Sequence, residues 1–168
     1  MNRRMQDGQQ WEEFVVTFLR AAGWTAFRYG QGLLSEDARD MLREFKTHIR
    51  WAPDIITTDP DRSALFVIDA KYSSAERTGN HAVECSSTAA TLLYHQPDHN
   101  VWALYAFPHM GTPKFVAVDV WSAHSFSASW HGDGSGTPFR CAPCDPHCHA
   151  NPFDAIKASN QHREETPQ

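Results

Sequence analysis

The chain has 168 residues, of which 41% are hydrophobic and 12% aromatic, enough to build one folded domain and to exclude a wholly disordered protein. Its formal net charge of −5 excludes a generic basic nucleic-acid binder. No stretch approaches the roughly 18 apolar residues of a membrane span, and the polar segment 1–7 lacks the apolar core of a secretory signal. We therefore expect no contact with a membrane and a cytoplasmic location.

The first half of the chain contains clear periodic segments. Apolar residues recurring every three or four positions predict a helix over 8–22, which Gly23 would end. A short strand is predicted over 24–29, broken by glycines at 30 and 32, and a second helix over 36–50.

The rest of the predicted elements alternate between strands and helices, followed by a segment of different composition. Apolar runs predict strands at 54–57, 65–68, 101–107 and 115–120, with a looser helix at 81–95. From Trp121 onward Ser, His, Gly and Pro dominate, which predicts an irregular tail. Within it, Asn151 and Pro152 are typical of the start of a short helix, here predicted to end near Ser159.

Two acidic residues and a lysine lie on neighbouring predicted strands. Asp69 and Lys71 are two positions apart in the strand, so their side chains project to the same face. A tight turn between the two strands would place Asp54 beside Asp69. Adjacent carboxylates repel each other, and a divalent cation such as Mg²⁺ removes that cost. A nearby lysine can hold a phosphate or orient the attacking water, as phosphodiester hydrolysis requires.

A simpler interpretation of these three residues remains open. Asp69 and Lys71 could form a surface ion pair at a strand end, with Asp54 an unrelated turn residue. The surrounding sequence favours a site, because Pro53 opens the first strand and the apolar run 65–68 leads directly into Asp69.

The pattern Pro53-Asp54, followed by Asp69-Ala70-Lys71 at the end of an apolar strand, resembles the signature of the PD-(D/E)XK nuclease superfamily. The resemblance covers residues 8–120 and is greatest to Holliday-junction resolvases and modification-dependent restriction endonucleases, in which a helix glutamate precedes a glycine by eleven residues, as Glu12 precedes Gly23. The glycine-serine loop of the resolvases is not clearly present; the glycines at 30 and 32 are a poor substitute.

The resemblance implies a restriction-endonuclease-like α/β fold, with a central mixed sheet flanked by helices and a small Cys/His-rich C-terminal appendage. The nuclease-like core would span 1–121 and the appendage 122–168. The superfamily implies that Asp54 and Asp69 bind Mg²⁺ or Mn²⁺ and that Lys71 is the catalytic lysine. Glu12 would be the helix carboxylate, although Glu13 competes for that role.

Three of the four cysteines lie within eight residues, beside two histidines. Thiolate and imidazole donors suit Zn²⁺, and such a site could fold a tail that has few apolar residues. The alternatives are reduced thiols without a metal and a disulfide, which a cytosolic protein disfavours, and an iron–sulfur cluster is a weaker option. The candidate zinc ligands are Cys141, Cys144, Cys148, His147 and His149.

The end of the second predicted helix is the most basic part of the chain, with Arg43, Lys46 and Arg50 as candidate contacts to DNA phosphates. Solvated helix charges explain these residues equally well. Together the observations predict a Mg²⁺-dependent DNA endonuclease, with a homodimer expected only by analogy. The alternatives are an inactive DNA- or protein-binding module on the same fold with a zinc-stapled tail, and a small zinc protein with incidental carboxylates.

Overall fold

The computed structural model describes residues 3–44, 48–72, 79–130, 136–143 and 145–166. The helices are α1 (Arg3–Ala21), α2 (Glu36–Glu44), α3 (Cys85–Leu92), α4 (Val118–His124) and α5 (Pro152–Glu165). The strands are β1 (Thr25–Arg28), β2 (Ile55–Thr58), β3 (Leu65–Ala70), β4 (Asn80–Glu84), β5 (Val101–His109), β6 (Thr112–Ala117), β7 (Phe126–Trp130) and β8 (Thr137–Pro143). Short 3-10 helices occur at Gly30–Leu33, His48–Trp51 and Pro97–His99.

The central sheet has five strands in the order β1-β2-β3-β5-β6. All neighbouring strands are antiparallel except β3 and β5, which run parallel and are connected through α3. A parallel pair needs a crossover of this kind, because a tight turn can join only antiparallel strands. The prediction of an α/β fold with a central mixed sheet flanked by helices is confirmed.

Both faces of the sheet are covered. On one face the rings of Trp24 and Phe153 pack against Phe66 of β3. On the other face Trp121 of α4 packs against Tyr105 and Phe107 of β5. Burial on both faces explains why β3 and β5 are continuous apolar runs rather than alternating ones.

The predicted first helix, the first three strands and the C-terminal helix occur where the sequence places them, with differences at the ends. Helix α1 begins at Arg3 rather than near residue 8. Gly23 follows it with a φ of 86°, a left-handed conformation that favours glycine. Asn151 caps α5, accepting a hydrogen bond from the backbone N–H of Asp154.

Three element predictions were wrong. The segment 81–95 is a strand followed by a helix, because His81 and Val83 point inward and β4 pairs with β8. The strand predicted at 115–120 ends at Ala117, where α4 begins. The helix predicted over 36–50 is an α-helix at Glu36–Glu44, but residues 48–51 form a 3-10 helix, and residues 45–47 lie outside the described part of the chain.

Residues 122–168 contain more regular structure than the predicted irregular tail. Strands β7 and β8 pair with β4 in a second sheet of three strands, in the order β4-β8-β7. The division of the chain after residue 121 stays a prediction, as does the cytoplasmic location. Across the described residues, no helix is both long and apolar enough to cross a bilayer.

Candidate active site

Asp54 and Asp69 lie opposite each other at one end of the β2–β3 ladder. The final pair of that ladder is Ile55 with Ile68, so the next antiparallel step brings Asp54 against Asp69. The Asp54 carboxylate accepts a hydrogen bond from the backbone N–H of Ala70 at 2.9 Å, and its own N–H donates to the carbonyl of Ile68 at 3.0 Å. Backbone contacts to β3 therefore fix the position of this carboxylate.

Lys71 lies on the same side of β3 as Asp69. Its Nζ is 2.8 Å from Asp69 Oδ2, and the Asp69 side chain is only 4% exposed. The backbone N–H of Lys71 donates to the carbonyl of Ala106, which extends the pairing of β3 with β5 by one residue. Strand pairing thus holds the lysine and both carboxylates together.

The charged side chains of the site shift one another's pKa values. Burial and the neighbouring Asp69 carboxylate, which also forms a hydrogen bond with Asp54, raise the pKa of Asp54 well above its usual value. Burial alone would lower the pKa of Lys71, but Asp69 and Asp54 outweigh burial and raise it. The lysine is therefore an ammonium ion at neutral pH, and the carboxyl pair favours holding a proton or another cation.

Helix α3 supplies hydroxyl groups to Asp69. Ser87 Oγ donates to Asp69 Oδ2 at 3.1 Å, and Thr91 Oγ1 lies 3.4 Å from the same oxygen. The Thr91 hydroxyl has one proton, and its 2.9 Å bond to the carbonyl of Ser87 is the shorter, so Ser87 is the better donor to Asp69. Sequence reasoning missed this contact; the spacing of Ser87 and Thr91 on one helical face was its only local signal.

Glu12 of α1 lies close to Asp69 and Lys71. It forms an ion pair with Arg28 at 2.7 Å, and its side chain is 12% exposed. Burial raises the pKa of Glu12, Arg28 opposes that effect, and the charges of Asp69 and Lys71 also act on it. Glu13 is exposed. Of the two glutamates considered from the sequence, Glu12 is the one close enough to the site to be affected by its charges.

The glycines at 30 and 32 pack closely against the site. A Cβ at Gly30 would lie 2.3 Å from the carbonyl oxygen of Pro53, and Gly30 has a φ of 73°. A Cβ at Gly32 would meet the paired side chains of Arg28 and Glu12. The loop dismissed from the sequence as a poor substitute therefore lets the backbone approach both the Pro53-Asp54 segment and the Glu12–Arg28 pair.

Two adjoining recesses open beside these residues. The carboxylate recess, of about 300 Å³, is lined by Asp54, Asp69 and Lys71 together with Gln31, Arg43, Arg50 and Trp51. The aromatic recess, of about 270 Å³, is lined by Trp51, Tyr72 and Phe139 together with Lys71, Glu84 and Ser87. Trp51, Lys71, Glu84 and Ser87 line both.

Two of the three predicted phosphate-binding residues line the carboxylate recess. Arg50 lies with its guanidinium carbon 5.1 Å from the centre of the Trp51 ring, and Gln31 donates a side-chain hydrogen bond to the carbonyl of Arg50. Arg43 pairs with the exposed Asp40. Lys46 lies outside the described residues.

The candidate zinc ligands are only partly described, because Cys144 lies outside the described residues. Cys148 is buried and belongs to the hydrophobic core. The ring of His147 stacks on that of His124 at 3.8 Å, and the backbone of His149 pairs with Phe115. The zinc site stays a prediction that elemental analysis of the purified protein would check.

The donor set suits a hard divalent cation at the carboxylate recess. Within the described part of the chain, no group of three or more His, Cys, Asp or Glu side chains is arranged to hold a metal ion. Asp54 and Asp69 nevertheless provide two adjacent carboxylates that a cation would neutralise. Mg²⁺ commonly binds one or two carboxylates and completes its shell with water and substrate phosphate. The pair therefore fits a cation held jointly by protein and substrate.

Comparison with known proteins gives matches only among solved structures. No family model and no curated protein matches the sequence. The chain is similar to Hjc of Archaeoglobus fulgidus, a Holliday junction resolvase from an archaeal hyperthermophile, at 15% identity and a TM-score of 0.49, over 79% of this chain and 86% of that one. It is similar to a nuclease from a fusselovirus at 10% identity and a TM-score of 0.43, over 94% and 90%.

The residues of the sequence motif lie close together in the fold. The Pro53-Asp54 and Asp69-Ala70-Lys71 segments lie on adjacent strands in the middle of a mixed sheet, and Glu12 lies on the helix packed beside them. The fold therefore brings Asp54, Asp69, Lys71 and Glu12 together at one end of the β2–β3 pair.

Proposed function

We propose that the protein is a metal-dependent DNA endonuclease that hydrolyses phosphodiester bonds at the carboxylate recess. The observation that carries the proposal is the contact set of Asp54, Asp69 and Lys71. Two carboxylates that repel each other lie on rigid strands beside an ammonium group, in an open recess. An arrangement that costs stability without a cation is expected where a cation is used.

Each residue has a separate role in this proposal. Asp54 and Asp69 hold Mg²⁺ or Mn²⁺, with Ser87 orienting Asp69. When bound, the cation polarises the scissile phosphate and favours ionisation of the attacking water. Lys71 is charged at neutral pH and places its ammonium group where negative charge develops on the phosphate. Glu12, which is paired with Arg28, lies near Asp54 and Asp69 and affects them through its charge.

The basic residues around the recess would hold the DNA backbone. Arg43 and Arg50 line the same recess as the carboxylates, so they are placed to contact phosphates on either side of the scissile one. Such contacts position the substrate and carry no sequence information. Replacing Arg50 with Gln should therefore weaken binding to all DNA sequences alike. A homodimer, which would bring two sites to two strands, stays a prediction.

Incubation with plasmid, linear, single-stranded and branched DNA tests the function directly. Cleavage is expected with Mg²⁺ or Mn²⁺ and should stop when a chelator is added. Asp69→Ala, purified in parallel, is expected to be inactive and excludes a contaminating nuclease. If the wild-type protein binds DNA but does not cut it with either metal, the protein is a binding module and the endonuclease proposal is wrong.

A further inference from the structure

The aromatic recess lies immediately beside the carboxylates but has a different chemical character. Three rings from separate parts of the chain line it: Trp51 from a 3-10 helix, Tyr72 just after β3, and Phe139 from β8 of the second sheet. Lys71 lines it and the carboxylate recess alike. A substrate whose phosphate lies at Lys71 therefore has an aromatic-lined space next to that phosphate.

The rings of this recess are held in place but remain accessible. Tyr72 is 57% exposed, and its ring packs against Trp11 at 6.3 Å. Trp11 is itself buried, and its indole N–H donates to the carbonyl of Ala106. Trp51 is supported by the Arg50 guanidinium on its ring. Anchored, open aromatic faces are suited to stacking on a flat ligand.

The charged groups of the recess select the kind of flat ligand. Glu84 lines this recess as well as the carboxylate recess, and its carboxylate can accept hydrogen bonds from the N–H groups of a nucleobase. The Ser87 hydroxyl donates its one proton to Asp69 and can accept a further hydrogen bond from such an N–H group. An occupant with apolar faces and polar N–H edges, attached to a phosphate at Lys71, is a nucleotide whose base is not paired.

Resting on the endonuclease function proposed above, we propose that the aromatic recess binds one unpaired nucleobase next to the scissile phosphate. The substrate class is then single-stranded DNA or DNA with a locally unpaired base. A base in a regular duplex must first be unstacked and unpaired to reach such a recess, whereas a base in a single strand need not be. The enzyme should therefore favour unpaired substrates over an uninterrupted duplex.

Base binding can be measured separately from cleavage, with chelator present. The probe is a short single-stranded oligonucleotide that contains one 2-aminopurine, whose fluorescence falls when the base stacks. The wild-type protein should quench this fluorescence more than it quenches the same base in a matched duplex. Trp51→Leu and Tyr72→Leu should remove the quenching, and Tyr72→Phe should keep it.

Phe27→Leu is the matched control, because Phe27 is 56% exposed on the edge strand β1 and lines neither recess. It should quench as the wild type does. Equal quenching with the single-stranded and duplex probes, or unchanged quenching in both leucine variants, would overturn the proposal.

Cleavage then separates this inference from the function on which it rests. On single-stranded DNA, Trp51→Leu should lower kcat/KM by roughly ten-fold, since stacking on an aromatic side chain is commonly worth this much per base. On a continuous duplex the loss should be much smaller. Equal losses on both substrates would contradict the base recess while leaving the endonuclease intact. Probe quenching by a protein that cuts no DNA would support the recess and reject the endonuclease.

Discussion

Asp54 is held in an environment that opposes its own charge. Burial and Asp69 raise its pKa, while strand pairing prevents it from moving away. Asparagine keeps an oxygen that can accept the hydrogen bond from the backbone N–H of Ala70, but it carries no charge. The Asp54→Asn variant therefore distinguishes two effects of the Asp54 charge: its effect on the stability of the metal-free fold and its effect on metal binding.

We expect Asp54→Asn to raise the melting temperature of the metal-free protein and to abolish its further increase on adding Mn²⁺. The first effect follows from relieving carboxylate repulsion, and the second from losing a ligand, because a ligand stabilises only the state that binds it. Thermal denaturation with and without Mn²⁺ measures both. Asp98→Asn is the control, because Asp98 is an exposed aspartate that lines neither recess. A metal-free melting temperature below that of the wild type would contradict the account of the pair.

The residues that could be predicted from the sequence are those that belong to a local pattern. Asp69 and Lys71 share a strand face, so their contact followed from spacing alone, and the turn between the strands placed Asp54 beside them. Ser87 could not be predicted in its contact to Asp69, because that contact depends on how α3 crosses the sheet. Such a crossing is set by packing between distant parts of the chain.

At the scale of elements, the loop between β1 and α2 is shaped by its approach to the site. Gly30 and Gly111 both have left-handed φ values, 73° and 77°. A Cβ at Gly111 would meet nothing within 4 Å, whereas at Gly30 it would collide with the Pro53 backbone. Comparing alanine substitutions at the two glycines therefore distinguishes the cost of a left-handed backbone from the cost of a steric clash with the Pro53 backbone.

Gly111→Ala should cost about 1–2 kcal/mol of unfolding free energy, the ordinary cost of a left-handed alanine. Gly30→Ala should cost clearly more and should also weaken Mn²⁺ stabilisation, because Pro53 and Asp54 must shift. Urea unfolding measures the free energies, and a thermal shift with Mn²⁺ measures the second effect. Equal losses of unfolding free energy in the two variants would mean that Gly30 is not needed for close packing of the loop against Pro53.

The elements that the sequence misplaced are those stabilised by distant partners. Strand β4 pairs with β8, whose residues lie more than fifty positions further along the chain. Nothing within 81–84 indicates that partner, and the predicted helix depended on Val83, Ala90 and Leu93 as possible core positions. Helix α4 was read as strand because Val118 and Val120 continue the apolar run of β6, and only its packing distinguishes the two.

At the scale of the molecule, Asp119 connects its own helix α4 to α5 and to the segment that follows α3. The Ser159 hydroxyl of α5 donates to its carboxylate at 2.6 Å, and His95 Nε2, just beyond α3, lies 3.3 Å away. His95 Nδ1 accepts from the backbone N–H of Ala103, so Nε2 carries the proton that faces Asp119. Burial alone would raise the pKa of Asp119, but these partners lower it to about 2.

A lowered pKa in the folded state contributes stability above the ordinary value of 3.8, and that contribution is lost as the pH falls toward about 2. The difference in unfolding free energy between wild type and Asp119→Asn should therefore be largest above that ordinary value and shrink on further acidification. Urea unfolding at a series of acidic pH values measures it. A difference that is constant with pH would show that the charge of Asp119 contributes nothing.

In the proposed mechanism Lys71 acts on the phosphate and does not hold the cation. The most direct test of this role is the single-turnover cleavage rate of Lys71→Ala at saturating Mg²⁺, beside the wild type and Lys114→Ala, a lysine on β6 outside both recesses. Mg²⁺ affinity should be largely retained, and the rate should fall by about two to three orders of magnitude, the usual cost of losing one charge-stabilising group. A Lys71→Ala protein that cuts DNA as fast as the wild type would contradict the account.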